Sequence, residues 1–494
     1  MTRRLRSGRP GNSAFLALLQ ALLVLFFCLQ AFAAGQDLPS LRPLVGPPPG
    51  KVDYTLTEAV NTALKSFPSL RYAHAKVRST DAGITLARTA YLPNFDVMME
   101  EMQTTRNVIA GTILPQAIDV IPTQTGQPRK SSNFASVWSN SLGANFSWEL
   151  YDFGLRHANV LLARAERATA LANVKLTELD VAASAAESYL ETVANQQTIR
   201  AQKATVARMQ AWALIVHTLV DKGLRAGVDA ARADSDVAFA RIALIEAERD
   251  TDLARVDLSE AMGIAGVYVG VLPAPLVVRP PKIFNAGPIE VVNHPLAVVR
   301  AAQVETAAAT VHAWDRTWYP KIWLHSAIWG RGSGVKGDDA RPVWDGVLPQ
   351  SGNWAAGLTL SFPFFDIFEI RAHRRIALRN EEADRASYDL AIQILTQKDA
   401  RARVLLENAR RIADETTVLI KAAKENEMKA LERYKVGLTD IVEVAEAERI
   451  LARAEVEDAV AEVRVWRAIL ASAYAQGDLR PFINLVALAE ARSQ

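Results

Sequence analysis

Two segments of the chain alternate apolar and polar residues with a period of two, and each runs directly into a very long stretch with no such alternation. In the first, Leu142, Ala144, Phe146 and Trp148 are interleaved with Ser141, Gly143, Asn145 and Ser147. In the second, Trp354, Ala356, Leu358, Leu360 and Phe362 are interleaved with Ala355, Gly357, Thr359 and Ser361. Successive side chains of a strand point to opposite faces, so both segments read as strands with one apolar face and one small, polar face. Weaker alternation places partner strands from near Phe95 and Ile322. The stretches that follow, 155–222 and 369–436, each hold 68 residues without glycine or proline and are rich in Ala, Leu, Glu and Arg. These are strong helix formers, and at about 1.5 Å per residue each stretch as one helix reaches roughly 100 Å. Helices of ordinary globular domains run to three or four turns, so a long reach is part of the design.

The two patterns belong to an internal repeat. Phe67-Pro68-Ser69-Leu70 matches His294-Pro295-Leu296, and Tyr91-Leu92-Pro93 matches Trp318-Tyr319-Pro320, with the second proline 25 positions after the first in each copy. Gly143, Asp152, Gly223 and Gly263 recur as Gly357, Asp366, Gly437 and Gly477, all 214 residues later. The one change of length is a strand-connecting loop 13 residues longer in the first copy. Each copy reads helix, strand, loop, strand, long helix, break, helix, over residues 54–266 and 291–480, with a Pro-rich linker at 267–290 and a tail at 481–494. Gly223 and Gly437 suit left-handed helix terminators, and Thr439 or Asp440 suits the cap of the helix that follows, so each copy forms a helical hairpin ending in a tip.

The N-terminus adds a compartment. Arg3, Arg4, Arg6 and Arg9, an apolar run from Ala14 to Phe27 and Ala31-Phe32-Ala33 predict a signal peptide over 1–33, followed by a Pro-rich lead at 34–53. Cys28, the single cysteine, falls inside this segment, and the expected exported chain has no thiol. A net charge of +2 with both signs interspersed gives no case for nucleic acid. No later segment suits a transmembrane helix, so a membrane crossing falls to strands. Four strands cannot close a barrel, and open edges are not tolerated in lipid. An oligomer is therefore required, and three chains giving twelve strands is the geometric preference. Eight of the ten tryptophans (Trp138, Trp148, Trp314, Trp318, Trp323, Trp329, Trp344 and Trp354) fall in or beside the strands, as interfacial girdles do.

Taken together, the duplicated plan, the paired Pro anchors, the strand ends Trp148-Glu149-Leu150-Tyr151-Asp152-Phe153-Gly154 and Phe362-Pro363-Phe364-Phe365-Asp366, and the Tyr434-x-x-Gly437 tip resemble the TolC family of outer-membrane efflux proteins. The resemblance covers Tyr54 to Gly477. It implies an α+β membrane protein: a homotrimeric twelve-stranded β-barrel in outer-membrane lipid, four strands per chain, continued by a coiled-coil α-helical barrel across the periplasm. It also implies a periplasmic adaptor (membrane fusion) protein and an inner-membrane pump of RND, ABC or MFS type. By the same resemblance Glu443, Glu446 and Asp229 narrow the periplasmic mouth, Tyr434 helps to hold it closed, and Gly223, Leu224, Arg225, Gly437, Leu438 and Thr439 form the tips that meet the adaptor. The chain departs from the family at Thr439, where a basic residue is common. From the residues alone, Glu443 and Glu446 share a helix face that a trimer turns into six carboxylates around one opening, with pKa values raised by crowding, or are solvated acids of a Glu-rich helix. Tyr434 is a gate residue or a hairpin core aromatic. Ser141, Asn145, Ser147, Thr359 and Ser361 are expected to line the lumen.

Catalytic chemistry has no such support. The seven histidines fall in no metal-ligand spacing, and Gly330-Arg331-Gly332-Ser333-Gly334 lacks the Lys-Ser/Thr of a phosphate loop and reads as a flexible turn. The expectation is a passive exit duct, with no cofactor, no metal and no enzyme activity. Two alternatives stand beside it: an outer-membrane component of type I protein secretion, and a periplasmic coiled-coil scaffold without a pore.

Overall fold

The computed structural model describes residues 53–105, 136–280, 290–336, 339–340 and 346–493. The expected signal peptide, all but Asp53 of the Pro-rich lead, residues 281–289 and Trp344 lie outside these. In chain order the elements are β1 (Asp53–Tyr54), α1 (Leu56–Ser66), α2 (Pro68–Thr89), β2 (Asn94–Thr105), β3 (Ser136–Tyr151), α3 (Leu155–Asp221), α4 (Gly227–Ala261) and β4 (Gly270–Val271). Next come α5 (Pro295–Thr317), β5 (Lys321–Ser333), a short hairpin of β6 (Val335–Lys336) and β7 (Asp339–Ala340), β8 (Ser351–Ser361), α6 (Ile367–Lys435), α7 (Ile441–Gln476) and α8 (Arg480–Ser493). The two long helices hold 67 and 69 residues, each about 100 Å long.

Proline at the first helical position starts both α2 and α5, where its missing N–H costs nothing. Glycines in the left-handed region end the hairpin arms, Gly263 at φ +71° and Gly477 at φ +78°. These two also seat each repeat on itself. A Cβ at position 263 would stand 2.9 Å from the Phe67 Cα, and one at position 477 would stand 2.7 Å from Pro295 Cδ. The end of each returning arm therefore rests on the start of its own repeat, a fit that only glycine allows.

The four main strands form one antiparallel sheet in the order β2-β3-β5-β8. Its register gathers the apolar positions on one face: Phe95 opposite Phe146, Val97 opposite Ala144, Trp148 opposite Leu324, Leu324 opposite Leu358, and Ile328 opposite Trp354. Trp354, Leu358 and Leu360 are 78%, 70% and 69% exposed in the protomer, as suits side chains whose solvent is lipid. The opposite face carries Asn145, Ser147, Thr359 and Ser361 of the set expected toward the lumen, joined by Asp96, His325 and Asn353, and Ser141 of that set is buried. This sheet with open edges at β2 and β8 is one protomer's share of a trimeric twelve-stranded barrel. Among the described residues no helix is long and apolar enough to cross a membrane.

Three expectations are corrected here. The Gly330–Gly334 run is not a flexible turn: β5 continues to Ser333, because the loop before β8 lies on it. A Cβ at Gly330 would stand 3.0 Å from Pro349 Cβ, and one at Gly332 would fall on the Leu348 carbonyl. The tryptophans are not one girdle either. Trp323 and Trp329 sit on the face opposite Trp148 and Trp354, Trp314 stacks on His373, and Trp318 meets Phe362 edge-on. Trp329 is buried over Gly143, whose missing side chain makes the room. Lastly, the described part of the inter-repeat stretch up to residue 280, and the C-terminal tail, pack into the core. β4 pairs in parallel with β1, the Tyr189 hydroxyl donates to the Tyr54 carbonyl (2.8 Å), the Trp466 indole donates to the Val278 carbonyl (3.1 Å), and α8 buries Phe482 and Val486.

Helix packing is uneven between the repeats. α3 lies inside the protomer, touching α1, α2, α4, α5 and α7, whereas α6 rests on α5 and α7. Val404, Leu405, Ile412, Val418 and Leu419 of α6 are left exposed, as are Phe239, Ile242 and Ile245 of α4. Such apolar edges are what the trimeric fold requires of a single copy.

Candidate functional site

Both long helices stop by the same mechanism. At the first tip Gly223 takes φ +69° and the Leu224 N–H returns to the Leu219 carbonyl (2.9 Å). At the second, Gly437 takes φ +79° and the Leu438 N–H returns to the Arg433 carbonyl (2.9 Å). These bonds satisfy carbonyls that a helix end would otherwise orphan. Leu224 and Leu438 then project into solvent, 66% and 71% exposed. The helices leaving the tips begin differently. Asp440 caps α7, its Oδ1 accepting from Val442 and Glu443 N–H (both 3.1 Å), whereas Ala226 offers α4 no side-chain cap.

Tyr434, three residues before the second tip, is fully buried among Met209, Trp212, Val216, Ala233, Ile441 and Val444. Its two sequence readings merge: it is a core aromatic with a polar task. The Tyr434 hydroxyl donates to Asp229 Oδ2 (3.1 Å) on α4, and Trp212 of α3 meets its ring edge-on with centroids 4.9 Å apart. Arg225 of the first tip lies over the same ring (Cζ 4.1 Å from the centroid) and donates to the Tyr434 carbonyl (2.6 Å). Burial, together with the Asp229 carboxylate, pushes the Tyr434 phenol up to about 12, so it remains a donor at any physiological pH. Tyr434, Asp229 and Arg225 thus tie the first hairpin to the second at the tips.

Glu443 and Glu446 are exposed and each has a cationic partner in its own hairpin. Glu443 accepts from Arg433 Nη1 (2.9 Å) and from the Thr439 hydroxyl. Glu446 accepts two bonds from Arg449 (2.8 and 2.5 Å), which hold its carboxyl below the usual range. Within a protomer, therefore, Arg449 sets the direction of the Glu446 shift, opposite to the one expected from crowding. Thr439, where a basic side chain was missed in the sequence, positions Glu443 instead. Sequence reading passed over Trp212, Arg433 and Arg449. The spacing of Arg449 three residues after Glu446 was the available signal, while Trp212 lies far from the tip motif in sequence.

The duplicated four-strand sheet over paired 100 Å helices defines a class: outer-membrane channels that extend into the periplasm. The chain belongs to the outer membrane efflux protein family, whose sequence model matches residues 59–264 and 291–470. Among solved structures it is similar to the outer-membrane channel OprN, with 20% identity, coverage of 90% of this chain and 98% of that one, and a TM-score of 0.70. It is also similar to the open state of the MtrE outer-membrane channel of Neisseria gonorrhoeae, with 18% identity, coverage of 86% and 89%, and a TM-score of 0.64. Protein CyaE of Bordetella pertussis is 25% identical over 434 residues, 84% of this chain and 82% of the relative.

Proposed function

We propose that three copies form the exit duct of a tripartite efflux assembly, conducting solutes passively from the periplasm to the exterior. The tips dock on a periplasmic adaptor and, through it, serve an inner-membrane pump of the RND, ABC or MFS type. The observation that carries this reading is the Tyr434–Asp229–Arg225 tie: a hydrogen-bonded link between two hairpins at the far end of a long tunnel is what a closable mouth needs. A static scaffold has no use for a half-buried polar bond there, since apolar packing would join the hairpins as well. The open state described for MtrE supports the same view, because a relative of this fold has an open form to reach. Glu443 and Glu446, with Asp229, set the charge at the mouth, and Arg433 and Arg449 moderate it. Energy comes from the pump, because the sequence carries no phosphate-binding loop.

The test is single-channel conductance of the purified trimer in planar bilayers. Wild type should give a small, stable conductance, and Tyr434→Phe combined with Asp229→Asn should raise it several-fold. Absence of conductance from either protein would overturn the duct.

A further inference from the structure

About two helical turns above the Asp440 cap, the seam between the hairpins holds a second polar cluster, built on Glu448 and Arg208. Glu448 on α7 is 4% exposed. Its Oε2 accepts no hydrogen bond and lies 3.5 Å from Arg208 Nε on α3. That guanidinium is already committed: its two terminal nitrogens bind Glu455 on α7 at 2.9 and 2.8 Å, and one also bonds Thr205. From α6, Glu427 brings a third carboxyl close enough for its charge to act on Glu448. On the side toward α4, Arg232 and Asp236 share with Glu448 a cavity of about 620 Å³, floored by Met209 and Trp212, and Glu446 and Arg449 line the same cavity from α7. The Trp212 indole N–H, buried in this wall, also has no partner.

The charge balance at the seam is unfavourable to an ionised Glu448. Glu427, Glu448 and Glu455 meet a single half-buried arginine whose forked donors are taken by Glu455, and a buried carboxylate such as Glu448 without its own donors is costly. A neutral Glu448 removes that cost and can share its proton with Glu427. Burial first, then the Glu427 charge, push the Glu448 carboxyl up to about 7. The cluster stands between α3, α6 and α7, so it spans the same boundary between hairpins that Tyr434 and Asp229 close at the tips.

We propose that Glu448 is a proton-operated latch for the mouth: neutral, it holds the α3–α6–α7 seam packed, and ionised, it loosens the seam and favours the open duct. The latch rests on the duct reading above. The sign follows from the shift. A carboxyl raised in the packed state stabilises that state below its ordinary range, and the contribution is lost as pH rises through the raised value. Acid therefore closes the mouth, and neutral to mildly alkaline medium favours opening. His217 on α3, raised by its bond to Asp234, also titrates nearby, but both partners lie in the first hairpin and both persist in a Glu448 variant.

The experiment is conductance of the full-length trimer in KCl across planar bilayers, from about pH 5 to about pH 9. Wild type should pass from mostly closed to more open around neutral pH. Glu448→Gln, which keeps the shape and stays neutral, should remain mostly closed across this range. Glu427→Gln removes the opposing carboxyl from a half-buried position and should move the wild-type midpoint about one pH unit toward acid, a tenfold change in proton affinity. Conductance in which Glu448→Gln follows the wild-type pH curve, or in which Glu427→Gln leaves the midpoint in place, overturns the latch alone. No conductance from any variant at any pH overturns the duct and the latch with it.

Discussion

Asp229 and Glu443 are counterparts in the two repeats, each the third residue of the helix that leaves a tip. Their uses differ. Asp229 accepts from Tyr434 of the other hairpin, whereas Glu443 accepts from Arg433 and Thr439 beside it. The partner decides the outcome: Tyr434 in the second repeat corresponds to Val220 in the first, so only one of the two acids has a phenol to reach. The opposite ends of the long helices show the same divergence. Asp152 accepts from Gly154 and Arg156 N–H (3.1 and 2.5 Å), and the Arg156 guanidinium bonds Asp152 (3.1 Å) and the Glu149 carbonyl (2.7 Å) through a turn with Phe153 at φ 53°. In the second repeat Asp366 makes no capping bond, and Ile370 stands where Arg156 would be. Duplication supplied one backbone twice, and each copy anchored it with different side-chain chemistry.

The largest effect should come from breaking this asymmetry at the sheet. Asp152→Ala leaves the buried Arg156 with only the longer contact to Glu149 (3.5 Å) as counter-charge and should destabilise the protein by about 3 kcal/mol. Asp366→Ala, with no bond to lose, should stay within about 0.5 kcal/mol. Thermal unfolding of the detergent-solubilised trimer compares the two directly, and equal losses would end the argument. At the tips, Asp229→Asn weakens a hydrogen bond to a charged acceptor, worth about 1.5–3 kcal/mol, and should shift the closed–open balance by roughly ten- to a hundredfold. Glu443→Gln should change it less than about threefold, as read from open probability in bilayers.

A third contrast concerns acid. His294 caps α5, its Nδ1 accepting from Leu296 N–H (3.1 Å) with Nε2 facing the Tyr474 carbonyl (3.3 Å), where the first repeat has Phe67 with no side-chain cap. Burial holds the His294 imidazole below the usual histidine range, so the fold favours its neutral form. Its contribution is therefore complete above about pH 6.5 and is lost as pH falls, because the unfolded chain takes the proton first. Wild type should lose about 1 kcal/mol between neutral pH and about pH 5, and His294→Asn, which caps without titrating, should lose less. The smallest effect is at the rim. Arg449→Ala bares Glu446 and should raise cation preference in reversal-potential measurements, while Glu443→Ala with Glu446→Ala should lower it.

Much of the architecture was readable because helix length and strand parity are local properties. The glycine-free run 155–222 became Leu155–Asp221, and 369–436 became Ile367–Lys435, since nothing inside either run interrupts the backbone ladder. Parity placed Leu142 and Leu358 on one face of the sheet, and the register agrees. What escaped is what depends on a distant neighbour. The glycines of 330–334 suggest a turn until the loop at Leu348 and Pro349 is seen pressed against them. Arg225 meets Tyr434 across 209 residues of sequence, and Arg208 meets Glu455 across 247, so no pattern along the chain reports either. Tyr434 and Asp229 drew notice through family resemblance, whereas the chemistry between them came from packing.

The glycine seats at Gly263 and Gly477 also bear on how such a chain can change over time. Because each returning helix ends against the start of its own repeat, an insertion in a helical arm has nowhere to go. One added residue turns everything beyond it by about 100° and moves it about 1.5 Å, misplacing Gly223 or Gly437 at one end and the seat at the other. Substitutions accumulate freely under that rule, as Val220 against Tyr434 shows, but length does not. The 214-residue spacing survives unbroken from Gly143 to Gly263, and the 13-residue difference lies in the strand-connecting loop, outside both helical arms.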